Sequence, residues 1–222
     1  MGKSTEIAAS DGHRLDLYVA EPSGKPRGAI IVIQEIFGVN SHIRSVADGY
    51  AKDGYLAVAP AMYDRVQRKY ETGYTQPEIQ AGLEIRQQIP WDKSMLDVEA
   101  ARDHAKAAGK VGIVGYCWGG SVAWAASARV SGLAAAVCYY GGSIPELIGE
   151  KPRCPVMLHF GESDQSIPLD KAKQVAHAHP EATTHYYKAG HGFNCDQRGS
   201  HDAAAAQQAR SRTLDFFRQH VG

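Results

Sequence analysis

Short apolar stretches alternate with amphipathic ones along almost the whole 222-residue chain. A continuous run of apolar, mostly β-branched residues, such as the one at 28–34, is typical of a strand covered on both faces. The segment 92–108 instead repeats its apolar residues at helical spacing. Strands separated in this way by helices predict an α/β fold with a mainly parallel central sheet and helices on both faces.

The alternation predicts the individual elements. Ser41 is expected to cap the first helix and Gly54 to end it. The alternating segment Arg14–Ala20 is interpreted as an edge strand. Residues 61–90 are polar and weakly periodic, which indicates an excursion above the sheet, near any active site. Strands are predicted at 14–20, 28–34, 56–60, 111–116, 133–140, 156–161 and 183–188, and helices at 41–53, 92–108, 119–128, 169–179 and 202–220.

The composition narrows the class of protein. Lys and Arg total 24, as do Asp and Glu, so a binder of nucleic acid or anionic membrane driven by charge is not expected. Hydrophobic residues make up 44%, which is enough for one core, so residues 1–222 are predicted to be a single domain. There is no apolar run of the ~18 residues that a membrane helix needs. A signal peptide is not expected either, and the four cysteines without a C-x-x-C pair indicate free thiols in the cytoplasm.

The segment around Cys117 is the most informative motif. It has the form G-x-C-x-G, with Gly115 and Gly119 on either side, and it lies between a predicted strand and a predicted helix. This is the pattern of a nucleophile elbow with Cys in place of Ser. The alternative is that Cys117 is only a small buried residue after a strand, and that role would not require the two glycines. A thiol at a helix N-terminus has its ionised form stabilised by unpaired amides, so Cys117 is predicted to be a nucleophile.

An elbow enzyme places an acid and then a histidine later in the chain. Asp164 follows the strand at 156–161, and His191 follows the next strand between two glycines. His191 would take the thiol proton, and Asp164 would fix its tautomer. Asp164 is also suited to capping a helix, and Glu162 is a rival acid that would point to the other side of an extended segment.

The loop after the strand at 28–34 normally supplies one oxyanion donor in elbow enzymes. The amides of Ile36 and Trp118 are therefore predicted to form the oxyanion hole. Glu35 is unusual at this position, because a carboxylate aimed at the site would repel a thiolate. A surface acid is the alternative for Glu35.

Four motifs together resemble the dienelactone hydrolases, or carboxymethylenebutenolidases. They are Q-E-I-F-G at 34–38, G-Y-C-W-G-G at 115–120, G-x-x-D-x-x-I-P at 161–168 and A-G-H-G-F at 189–193. The resemblance extends from about residue 5 to 220. It implies an α/β-hydrolase fold, a triad of Cys117, His191 and Asp164, and hydrolysis of a cyclic enol ester, such as dienelactone to maleylacetate.

The resemblance also implies roles for residues around the triad. The Glu at the position of Glu35 bonds to the resting thiol, keeps it protonated and accepts its proton when substrate arrives. Arginines bind the substrate carboxylate in well-studied members. Here the candidates are Arg86 and Arg198, which is displaced by several positions, with Phe37 and Phe193 as further substrate-binding candidates. Because the arginines depart from the family pattern, a different small lactone or ester is an open alternative.

Two other functions remain as alternatives. A non-catalytic α/β-hydrolase-like module would bind a small ligand without turnover. A thiol peptidase or redox enzyme is less favoured, because no second Cys lies near the elbow. His177 and His179 cannot share a helix face, so no metal site is expected there, and His159 is expected to be packed. Neither a metal nor an organic cofactor is predicted; the expected partner is a small-molecule lactone or ester, and the expected state is a monomer or small homo-oligomer.

Overall fold

The central strands are buried on both faces because their sequences are continuously apolar. Every residue of Ala29–Ile33, Val111–Tyr116 and Val156–Gly161 is buried. The computed structural model describes residues 2–222, and all eight strands in this range belong to one sheet. The strands are β1 Lys3–Ala8, β2 Arg14–Ala20, β3 Ala29–Ile33, β4 Leu56–Pro60, β5 Val111–Tyr116, β6 Leu133–Tyr139, β7 Val156–Gly161 and β8 Thr183–Tyr187.

The strand order is β1-β2-β4-β3-β5-β6-β7-β8. From β4 to β8 the neighbours pair in parallel, whereas β1 and β2 are antiparallel additions. The predicted mainly parallel sheet is therefore confirmed. The helices are α1 Ser41–Lys52, α2 Gln76–Gln87, α3 Trp91–Ala105, α4 Trp118–Arg129, α5 Leu169–Ala178 and α6 Ala203–His220. None of the helices within residues 2–222 is long and apolar enough to cross a membrane.

Two sequence interpretations are wrong at the start of the chain. Arg14–Ala20 is not an edge strand, because β1 pairs with its outer side. Strand β1 is almost entirely exposed, so its sequence carries no apolar signal. The cap of α1 is Asn40 rather than Ser41: the Asn40 side chain accepts a hydrogen bond from the Ile43 amide at 3.2 Å.

The excursion at 61–90 contains more regular structure than expected. A short 3-10 helix spans Met62–Arg65, and α2 begins after a capping box formed by Thr75 and Glu78. The segment lies against the site, because the ring of Tyr63 is 5.3 Å from that of Trp118. The α2 backbone at Gly82 also lies close enough to the Ile36 carbonyl to exclude a Cβ atom.

Candidate active site

Cys117 lies at the sharp turn between β5 and α4. Its φ of 55° and ψ of −119° place a non-glycine residue in a strained conformation, which turns its side chain out of the sheet. A Cβ atom on Gly119 would lie 2.5 Å from the carbonyl oxygens of Ile33 and Gln34. The flanking glycines are therefore needed for close backbone packing. Cys117 is only partly buried.

The structure brings the three residues of the predicted triad together. The Sγ atom of Cys117 lies 3.1 Å from Nε2 of His191, and Nδ1 of His191 lies 2.8 Å from Oδ2 of Asp164. The other oxygen of Asp164, Oδ1, accepts hydrogen bonds from the amides of Ser166 at 2.7 Å and Ile167 at 3.1 Å. These bonds fix the carboxylate in the turn before α5.

The cap of α5 is Pro168, so Asp164 orders the preceding turn and contacts the imidazole at the same time. The rival acid Glu162 is exposed and its backbone amide bonds to the Tyr187 carbonyl at 2.7 Å. It makes no side-chain hydrogen bond to His191 within residues 2–222.

The surroundings of His191 favour its charged form. Burial acts to lower the pKa of His191, but the neighbouring Cys117 sulfur and the hydrogen bond to Asp164 outweigh burial and raise the pKa to about 10. A protonated imidazole beside the sulfur is the arrangement that stabilises a thiolate.

The amides of Ile36 and Trp118 are free to bind an oxyanion. Neither donates a hydrogen bond to any acceptor in residues 2–222. Trp118 is the first residue of the 12-residue helix α4, so its amide also lies at the positive end of the helix dipole. Both residues are buried, which restricts competing water.

Glu35 does not bond to the thiol, so this implication of the resemblance is wrong for the resting site. Its Oε1 accepts a hydrogen bond from Nη1 of Arg198 at 3.2 Å, and its Oε2 has no hydrogen-bond partner in residues 2–222. The physical reason is charge: a guanidinium is a much stronger partner for a buried carboxylate than a thiol. Glu35 is also not a surface acid, because it is buried.

The two candidate arginines occupy different places. Arg198 is partly buried beside Glu35, with its Cζ atom 5.5 Å from the ring centre of Phe37. Arg86, at the end of α2, donates from Nη2 to Oγ of Ser143 at 3.1 Å. Only Arg198 makes a hydrogen bond to another of the predicted site residues.

The two aromatic candidates are packed against other aromatic rings. Phe37 and Phe193 are almost completely buried in this structure, and their role in substrate binding stays a prediction. Phe37 packs edge-on against Tyr74 at 4.6 Å, and Phe193 packs against Tyr140 at 5.2 Å. Both belong to the hydrophobic core.

Tyr140 is a site residue that the sequence analysis missed. It follows β6 with a φ of 36°, and its ring lies 5.2 Å from that of His191. Its buried hydroxyl has no hydrogen-bond partner in residues 2–222. Burial, and then the nearby Glu35 carboxylate and the Cys195 and Cys117 sulfurs, raise the pKa of Tyr140, so its hydroxyl stays neutral and can donate a hydrogen bond. The sequence signal that could have identified Tyr140 is its position as a polar residue directly after a buried strand.

His159, expected to be packed, is fully buried in β7 and bonds to the hydroxyls of Tyr187 and Thr213. The four cysteines are all free.

Comparison with known proteins places this geometry in a family. Residues 15–221 match the sequence model of the "Dienelactone hydrolase family". A protein from Pseudomonas putida named "Carboxymethylenebutenolidase" is 32% identical, over 95% of this chain and 94% of its own length. A Synechocystis protein named "Putative carboxymethylenebutenolidase" is 35% identical, over 92% of this chain and 91% of its own. The crystal structure of a Klebsiella pneumoniae protein described as a "Putative Dienelactone Hydrolase" superposes with a TM-score of 0.85 and 29% identity, covering 99% of this chain and 100% of that one.

Proposed function

Because the chain belongs to the dienelactone hydrolase family and is a carboxylic ester hydrolase of the α/β-hydrolase fold, we propose that it opens a small lactone or enol ester through a thioester on Cys117. The observation that carries this proposal is the contact of Cys117 Sγ with His191 Nε2 at 3.1 Å, while Asp164 occupies the other ring nitrogen. A dienelactone-type substrate, opened to maleylacetate, is the proposed class.

The first step is attack of the Cys117 sulfur on the ester carbonyl. His191 holds the thiol proton at Nε2 while the sulfur attacks, and Asp164 stabilises the imidazolium through Nδ1. The Ile36 and Trp118 amides bind the negative oxygen of the tetrahedral intermediate. One such donor typically contributes about 3–4 kcal/mol to lowering the barrier.

The C–O bond of the ester then breaks, and the enolate leaves with the proton from His191. In the second half of the reaction His191 removes a proton from water, the hydroxide attacks the thioester, and the Cys117 thiol regains a proton as the acid is released. We propose that Glu35 tunes this step through its charge, which Arg198 partly neutralises.

The test is mass spectrometry of the protein during turnover of a p-nitrophenyl ester and of both dienelactone isomers. We expect an acyl adduct on Cys117 and loss of turnover in Cys117→Ala. Cys154→Ala is the matched control, since Cys154 is a free, partly exposed thiol. Turnover retained by Cys117→Ala would refute the assignment. If the protein hydrolyses neutral esters but neither dienelactone isomer, the mechanism stands and the proposed substrate is rejected.

The substrate carboxylate is proposed to bind Arg198 or Arg86. Replacing the binding arginine by Met should raise KM for carboxylated lactones at least tenfold and leave neutral esters much less affected. Equal changes for both kinds of substrate in both variants would argue against carboxylate binding by either arginine. A cytoplasmic location is proposed from the four free cysteines.

A further inference from the structure

We propose that Glu35, His42 and Cys195 form a binding site for one transition-metal ion of the zinc class, next to the active site. Their donor atoms all lie within 4.8 Å of one another, and all three side chains are buried. The residues come from the loop after β3, from α1 and from the loop after β8. Their separation in sequence hides the cluster, so the sequence analysis expected no metal.

Two of the three side chains carry a buried polar atom without a partner. Neither Oε2 of Glu35 nor Nε2 of His42 makes a hydrogen bond within residues 2–222. Leaving a polar atom buried and unsatisfied costs about 1–3 kcal/mol. A bound cation would satisfy both atoms at once.

The other ring nitrogen of His42, Nδ1, already has a hydrogen-bond partner. Nδ1 lies 3.1 Å from Oδ1 of Asp196, so a proton on Nδ1 points to that carboxylate and Nε2 keeps a lone pair that can bind a cation. A metal-ligating histidine usually has such a carboxylate partner on its second nitrogen. Glu35 is similarly placed, because Arg198 bonds to Oε1 and leaves Oε2 available to a cation.

The donor set selects the kind of ion. One imidazole nitrogen, one carboxylate oxygen and one sulfur suit Zn²⁺, Co²⁺ or Cu²⁺, whereas Mg²⁺ and Ca²⁺ prefer oxygen ligands alone. Around a tetrahedral Zn²⁺ with bonds of about 2.0–2.3 Å, donor atoms lie roughly 3.5 Å apart. The side chains therefore need to close in by about an ångström on binding.

Cys195 binds the ion as a thiolate, so its proton leaves on binding. Its Sγ atom now donates to the hydroxyl of Tyr74 at 3.3 Å, and the same hydroxyl accepts from Asn40 at 3.0 Å. Once the sulfur is deprotonated, the Tyr74 hydroxyl can reverse its role and donate to it. Since one proton leaves for each ion bound, affinity should fall about tenfold per pH unit on acidification.

The test uses Co²⁺ as a probe in the Cys117→Ser protein, which removes the one sulfur next to His191 and leaves the cluster intact. We expect one Co²⁺ per chain and a thiolate-to-cobalt charge-transfer band in the near ultraviolet. Adding Cys195→Ser should abolish the band, and adding His42→Phe should weaken binding at least tenfold. Adding Cys154→Ser is the matched control and should leave the band unchanged.

Circular dichroism checks that each variant is folded. Absence of the band in folded Cys117→Ser protein overturns the proposal, whatever the other variants do. A band that persists in folded Cys195→Ser protein also overturns it, because the sulfur then comes from another residue. Zn²⁺ competition against the Co²⁺ band measures affinity without reference to ester hydrolysis, so the outcome is independent of the proposed function.

Discussion

Arg198 donates a hydrogen bond to Glu35, with 3.2 Å between Nη1 and Oε1, although 163 positions separate the two residues. The Glu35 side chain is 1% exposed and that of Arg198 is 17% exposed. A carboxylate buried to this extent requires a partner charge. Arg198 therefore supplies that partner charge and partly neutralises the Glu35 carboxylate.

Replacing Arg198 by Met should lower the free energy of unfolding by about 2–4 kcal/mol, because it leaves the Glu35 charge buried and unpaired. Adding Glu35→Gln should restore most of that loss, since the amide carries no charge. Urea unfolding of the two single variants and the double variant measures the coupling. Strictly additive effects would show that the two side chains do not stabilise each other.

The protonation of His191 should make stability depend on pH. Its pKa is raised in the folded protein to about 10 from an ordinary value of 6.5. The stabilisation is therefore fully present below pH 6.5 and is lost as the pH rises to about 10.

Urea unfolding between these limits should show a steeper decline in the wild-type protein than in His191→Gln. Cys117→Ala should give an intermediate slope, because it removes one cause of the shift and leaves Asp164. Identical slopes in wild type and His191→Gln would mean that His191 is not protonated in the folded state.

The sequence predicts those features of the fold and the site that depend on residues close together in the chain. The bounds of β5 and β7 agree with the prediction because both strands are apolar runs that end at glycine-rich turns. Strand β1 was missed because its exposed sequence lacks that pattern. The approach of Arg198 to Glu35 was not predictable, since the two residues are 163 positions apart and meet only through the path of the loop after β8.

The turn around Cys117 should be intolerant of side chains at Gly119. Gly119→Ala places a Cβ atom 2.5 Å from two backbone carbonyl oxygens, which cannot move without disturbing β3. We expect a loss of at least ~3 kcal/mol in unfolding free energy and loss of turnover. Gly142→Ala is the matched control, since a Cβ atom there has no neighbour within 4 Å and the change should cost less than ~0.5 kcal/mol.

Tyr140→Phe should separate catalysis from stability. The Tyr140 hydroxyl is buried, has no partner in residues 2–222 and lies at the site, so its removal deletes an unsatisfied group from the resting protein. We expect stability to stay constant or rise by up to about 2 kcal/mol. If the hydroxyl donates to the bound ester, kcat/KM falls about tenfold, which corresponds to about 1.4 kcal/mol.

The adjacent Tyr139 provides the matched control. Its hydroxyl is 2.7 Å from Oγ1 of Thr213, so Tyr139→Phe breaks an existing hydrogen bond and should cost about 1 kcal/mol of stability while leaving kcat/KM unchanged. Thermal unfolding and ester turnover of both variants give the comparison. A loss of stability in Tyr140→Phe with unchanged kcat/KM would show that its hydroxyl is satisfied in the resting protein and makes no contact with substrate.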